Sequence, residues 1–97
     1  MKTLLVMRHA KSDWNAGFSD DHERPLAPRG VKAARRMGRF LTDVEVSPQL
    51  VITSTAVRAR TTVELATKAG GWSCPIVANP DFYASDPARV LEVVGET

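Results

Sequence analysis

Cysteine is nearly absent: Cys74 alone occurs in 97 residues. A single thiol excludes an internal disulfide framework and a cysteine-based metal site. Beside Pro75 it reads as a small buried or half-buried side chain, not a nucleophile. Long hydrophobic runs are missing too, and no stretch approaches the ~20 apolar residues of a membrane span. The leading run Leu4, Leu5, Val6, Met7 ends at Arg8. That is about half of the ~7–15 apolar residues of a signal peptide, and no cleavage site follows. The expectation is a soluble protein without membrane contact in a reducing, cytoplasmic compartment. Charge of one sign does not dominate: 13 Lys and Arg face 11 Asp and Glu, for a formal net charge of +2. That is too mild to argue for nucleic acid. There is no G-x-x-x-x-G-K-[ST] loop and no G-x-G-x-x-G after the first strand. Internal repeats, low-complexity stretches and linkers are absent as well.

What is present suits one domain of modest size, able to bury roughly 60–65% of its unfolded surface. The apolar fraction of 43% and the charged fraction of 25% are those of a soluble globular protein. Leu4, Leu5, Val6 and Met7 read as a first strand buried on both faces. Residues 16–27 form a polar loop with Gly17, Asp20, Asp21, His22, Glu23, Arg24 and Pro25. Asp20, Asp21, His22 and Glu23 match no metal-ligand spacing, so the loop reads as solvated.

Pro28 opens a helix. Its expected buried stripe is Val31, Ala34, Met37, Gly38 and Leu41, widened by Ala33, Phe40 and Val44. Lys32, Arg35, Arg36 and Arg39 occupy the remaining circumference as a solvent-facing cationic side. Leu50, Val51, Ile52 and Thr53 predict a second strand. A helix follows over residues 56–69, closed by Gly70 and Gly71. Ile76, Val77 and Ala78 predict a third strand, ended by Asn79 and Pro80. Ser85 or Asp86 is the expected cap of a last helix with Pro87 at its first position and Gly95 near its end. Alternating strands and helices argue for an α/β fold with a parallel sheet and right-handed crossovers.

The first strand delivers Arg8 and His9 to its C-terminal end, where ligands sit in open parallel sheets. The alternative is an ordinary chain exit that contains a polar pair. The second strand ends in Ser54 and Thr55, and Arg58 and Thr62 share a face near the start of the next helix. Arginines fork two N–H donors onto phosphate oxygens, and a helix N-terminus adds its dipole and free amides. Two arginines, an imidazole and hydroxyls at strand ends describe a dianion site built from side chains.

Arg8-His9-Ala10-Lys11-Ser12-Asp13-Trp14-Asn15 resembles the R-H-G-x-S-x-W-N motif of the histidine phosphatase superfamily. Its alanine at position 10 and the following K-S-x-W are similar to the SixA-type phosphohistidine phosphatases. Arg24-Pro25-Leu26 with Arg29-Gly30 matches R-P-L-x-x-R-G, and Ser54, Arg58, Ala59 and Thr62 match S-x-x-x-R-A-x-x-T. Tyr83-Ala84 resembles a pair before a later helix.

The resemblance implies a three-layer α/β/α sandwich of the phosphoglycerate mutase-like fold with a mostly parallel sheet. It implies His9 as the nucleophile and Arg8 and Arg58 as catalytic cations on the phosphoryl oxygens. Ser12, Asn15 and Ser54 would line the phosphate pocket, and neither a metal nor another cofactor would be needed. The implied partner is a protein phosphohistidine or a small phosphoester, with no nucleic acid and no membrane.

Two departures from the family pattern accompany it. The pattern includes a second histidine, usually followed by asparagine, on a later strand beside the first. The only other histidine is His22, which does not match that position. The expectation is a single domain over residues 1–97, incomplete on its C-terminal side. The second departure is the lack of a carboxylate acid in the region of residues 81–85, and Glu64 and Glu92 match no motif position. An alkoxide leaving group needs a proton, whereas the imidazole of a phosphohistidine can leave after protonation by solvent. The expected function is a phosphohistidine phosphatase. The alternatives are a phosphate-binding module without turnover and a phosphomonoesterase acting on small phosphoesters.

Overall fold

A computed structural model describes residues 3–83 and 87–95. Helix α1, Pro28–Asp43, starts with proline at its first turn, and the Ala27 carbonyl accepts from the Gly30 and Val31 amides. Its buried residues are Gly30, Ala34 and Gly38, four apart, so the face turned inward is made of the smallest side chains. The wider expected stripe is corrected: Met37, Phe40 and Val44 are exposed. The reason is close approach to helix α2, Val57–Gly70. A Cβ added at Gly38 would collide with the Ala66 carbonyl oxygen, so the helices touch almost backbone to backbone. At the far end the Thr42 hydroxyl donates to the Gly70 carbonyl at 2.8 Å and accepts from the Trp72 indole N–H at 2.8 Å. α2 ends on Gly71, whose φ of 69° is left-handed.

α2 is also the crossover between two short parallel strands, β1, Val51–Thr53, and β2, Ile76–Ala78, paired Val51 to Ile76 and Thr53 to Ala78. The ladder extends by the Val51 amide to Pro75 and the Asn79 amide to Thr53. This is the α/β class with a small parallel sheet that the alternation of elements predicts. Helix α3, Pro87–Gly95, packs against the 3-10 turn Pro80–Phe82. Arg89 joins the two, bonding the Asp81 carboxylate at 2.7 Å and Glu92 at 3.1 Å. The expected Ser85 or Asp86 cap and Ala84 lie outside the described residues, and Gly95 is the last helical residue.

The first expected strand is not formed. Among the described residues Leu4, Leu5, Val6 and Met7 join no ladder, and they are exposed, Val6 by 87% and Leu4 by 54%. A strand needs a neighbour for its amides and carbonyls, and among the described residues β1 and β2 pair only with each other. The run lies instead along α1, sharing a shallow groove with Met37 and Leu41. No helix among the described residues is long and apolar enough to cross a membrane.

The core is correspondingly small: Leu26, Ala34, Val51, Ala56 and Ala66 are buried, and no large side chain among the described residues is fully enclosed. The α1–α2 contact therefore carries a large share of the stability. Gly38→Ala is expected to cost about 1–3 kcal/mol through backbone overpacking, outweighing the gain in helix propensity. Thermal unfolding followed by circular dichroism should show a drop of several degrees, and an unchanged or raised midpoint would contradict the close contact.

Candidate active site

The segment of residues 8–15 is held by the segment that leads into α1. The Ala27 amide donates to the Lys11 carbonyl at 2.8 Å and the Asp13 amide to the Pro25 carbonyl at 2.9 Å, around an antiparallel bridge between Ser12 and Leu26. Gly30 permits this, since a Cβ there would strike the Lys11 carbonyl oxygen. Arg24 is buried and braces the same loop: its Nε donates to the Ser12 hydroxyl at 3.1 Å, and its guanidinium carbon lies 3.5 Å from the centre of the Trp14 ring. The Ser12 oxygen is thus engaged by Arg24. Asn15 is exposed, with its amide on the Asp13 carboxylate at 2.9 Å.

His9 stands exposed at the start of this loop. Its Nδ1 lies 2.8 Å from the Ala10 carbonyl oxygen. A carbonyl only accepts, so Nδ1 carries the proton, and in the neutral ring Nε2 keeps its lone pair. The Ala10 amide donates to the buried Thr62 hydroxyl at 3.0 Å, and that hydroxyl donates to the Arg58 carbonyl at 2.7 Å. Two hydrogen bonds therefore connect the residue after His9 to the backbone of Arg58. Arg8 is exposed beside Met37 and Leu41 and makes no hydrogen bond or ion pair among the described residues.

At the mouth of β1 the Ser54 hydroxyl accepts the Ala56 amide at 3.1 Å, shaping the turn into α2. The Val57 and Arg58 amides open the helix without intrahelical acceptors. The Arg58 guanidinium, 12% exposed, is gripped by one residue: Nη1 donates to the Asp21 carbonyl at 2.6 Å and Nη2 to the Asp21 carboxylate at 2.9 Å. That carboxylate also accepts from Arg24 Nη1 at 2.6 Å and from the Tyr83 hydroxyl at 2.8 Å. The Tyr83 hydrogen bond, with help from Arg58 and Arg24, holds the Asp21 carboxyl below the usual carboxylate range. The same bond to Asp21 pushes the Tyr83 phenol up.

His22 sits beside this cluster, its ring edge-on to Tyr83 with centroids 5.0 Å apart. Nδ1 faces the Glu23 carboxylate at 3.2 Å and therefore donates; Nε2, at 2.8 Å from Thr55, accepts in the neutral ring. Ligand atoms of Asp20, His22 and Glu23 fall within 4.8 Å of one another. The His22 nitrogens are already bonded, and Asp20 caps the turn Asp21–Glu23 by accepting the Glu23 amide.

The fold thus links His9, Thr62 and Arg58, and separately links Ser12, Arg24, Asp21, Arg58 and Tyr83. Ser54 and Ser12 serve internal hydrogen bonds, and Asn15 lies exposed. Asp21 is the member that the sequence reading passed over. Its one available signal was its place three residues before Arg24, where a 3-10 turn brings carboxylate and guanidinium together.

Residues 4–84 match the family model of the histidine phosphatase superfamily (branch 1). An uncharacterized protein of Mycobacterium leprae (strain TN) is 38% identical over 91 residues, covering 91% of this chain and 54% of that protein. Among solved structures, a candidate phosphohistidine phosphatase SixA from Agrobacterium tumefaciens superposes with a TM-score of 0.86 at 27% identity. The match covers 94% of this chain and 58% of that one. A protein histidine phosphatase SixA complexed with tungstate gives a TM-score of 0.80 at 25% identity, over 91% of this chain and 56% of its own. The chain spans about half the length of the relatives it matches.

The electrostatics of Asp21 have a pH consequence. Its carboxyl is lowered in the folded state, so its contribution is complete above the ordinary carboxylate range near ~4 and is lost as pH falls through the lower folded value. Asp21→Asn should reduce stability near neutral pH and flatten the loss of stability on acidification below about pH 4. Chemical unfolding across that range measures it, and parallel curves for the two proteins would contradict the assignment.

Proposed function

This chain belongs to the histidine phosphatase superfamily, and from that premise we propose a metal-independent phosphohydrolase in which His9 becomes transiently phosphorylated, with protein phosphohistidine as substrate. The observation that carries the proposal is the Nδ1 contact to the Ala10 carbonyl, which fixes the tautomer so that Nε2 holds the lone pair when the ring is neutral. Nε2 attacks phosphorus in line, a new N–P bond forms, and the bond from phosphorus to the departing group breaks. The departing imidazole takes a proton from solvent. Water then attacks the phosphorylated His9, inorganic phosphate leaves, and Nε2 recovers its lone pair. Arg8, Arg58 and the first amides of α2 neutralise the charge that spreads over the equatorial oxygens.

The choice of substrate rests on proton supply. Asp21 is held below the usual carboxylate range and stays ionised near neutrality, while Tyr83 is pushed up and keeps its proton. Asp81 and Glu92 are paired with Arg89. An effective general acid titrates near the working pH, and both shifts carry Asp21 and Tyr83 away from it. Such a site favours a leaving group that needs little protonation by the protein, such as the imidazole of a phosphohistidine, over an alkoxide. The SixA structures it resembles, one of them holding the oxyanion tungstate, support the same class. A cytoplasmic setting goes with this reading.

Phosphoramidate and p-nitrophenyl phosphate are suitable probes. The expected result is faster hydrolysis of phosphoramidate, no turnover by His9→Ala, and a loss of about 10²–10³-fold in kcat/KM for Arg58→Ala. Equal rates for His9→Ala and the parent would overturn the mechanism. Phosphate binding without turnover by the parent would instead identify a binding module.

A further inference from the structure

Arg58 is held against its own hydrogen-bonding preference. Its Nε is buried and has no partner among the described residues, a state that costs about 1–3 kcal/mol for an ordinary donor. A guanidinium free to turn would move that N–H toward an acceptor. It does not, because one residue holds one N–H of each terminal nitrogen, Nη1 on the Asp21 carbonyl at 2.6 Å and Nη2 on the Asp21 carboxylate at 2.9 Å, while each nitrogen keeps its second N–H. Charge-assisted pairs of this kind are stronger than neutral ones and fix the plane of the fork as well as its position. The carboxylate cannot easily swing away, since its other oxygen accepts from Arg24 at 2.6 Å and Tyr83 donates to the oxygen that Arg58 uses. Arg24 is in turn fixed by Ser12 and by Trp14, in the loop that carries His9.

We propose that Asp21 is the positioning residue of the site: its fork sets the orientation of Arg58 toward the transferred phosphoryl group and ties that orientation to the His9 loop through Arg24, with Tyr83 as support. The catalytic part of this inference rests on the phosphatase reading above. Asp21 touches neither substrate nor nucleophile in it, and its effect on the reaction comes through the orientation of Arg58, the Arg24 contact serving to anchor the carboxylate.

The test has two readouts. The first is the NMR signal of the Arg58 guanidinium in the full chain, followed with and without inorganic phosphate. In the parent, rotation about the Nε–Cζ bond should be slow; in Asp21→Asn it should speed up at least several-fold, with a smaller change in the same direction for Tyr83→Phe. Equal rotation in the parent and Asp21→Asn overturns the proposal, whatever phosphate does. A restrained Arg58 whose signal ignores phosphate leaves the positioning intact and counts against the phosphatase reading.

The second readout is a double-mutant cycle on phosphoramidate hydrolysis. Asp21→Asn should lower kcat by about 10- to 10²-fold with little change in KM, as for a misplaced catalytic group. The same substitution in an Arg58→Ala background should have almost no further effect. Losses that multiply in the double variant would show a role independent of Arg58 and overturn the proposal.

Discussion

A carboxylate with three donors on it ties the loops of the candidate site together. Asp21 accepts from Arg24, Arg58 and Tyr83, which come from the segment before α1, the start of α2 and the turn after β2. Among the described residues none of these segments is held by a deep core, because the buried side chains there are few and small. Where apolar burial is thin, the relative placement of loops falls to polar contacts with fixed geometry, and an arginine–carboxylate fork is the most directional available. Because Asp21 is largely exposed, its worth lies in orientation more than in stabilising energy.

That arrangement leaves the three arginines in different electrostatic states. Asp21 consumes part of the charge of Arg24 and Arg58, while Arg8 keeps all of its own among the described residues. The N-terminal amides of α2 add to it. Under the proposed function these cations and amides are the groups that meet the phosphoryl dianion. With the His9 Nδ1 proton donated to the Ala10 carbonyl, the lone pair of the neutral ring falls on Nε2. The Asp21 carboxyl is held below the usual carboxylate range, chiefly by its hydrogen bond from Tyr83, which under the proposed reaction suits a leaving group that takes its proton from solvent.

How far this could be read from residues alone differs by element. α1, α2 and β2 fall where helical period, proline and paired glycines place them, since those signals are local. Leu4, Leu5, Val6 and Met7 carry the pattern of a buried strand, but a pattern says what a strand would bury and not which neighbour pairs with it. In α1 the hydrophobic stripe pointed to Met37, while close approach at Gly38 turned the glycines and Ala34 inward. Arg58 and Thr62 were legible as one helix face; that Thr62 would hold the Ala10 amide, 52 residues earlier, was not. Asp21 sits in a polar loop without periodicity, where a carboxylate that organises a site looks like one that faces water.

The central claim is that His9 Nε2 takes the phosphoryl group. The most direct measurement is to mix the protein with labelled phosphoramidate, quench in alkali, where an N–P bond survives, and locate the label by peptide fragmentation. The account predicts a phosphorylated His9 that decays to inorganic phosphate on standing before the quench. Label on His22 or any other residue, or phosphate released with no labelled protein at any time of quenching, would contradict it.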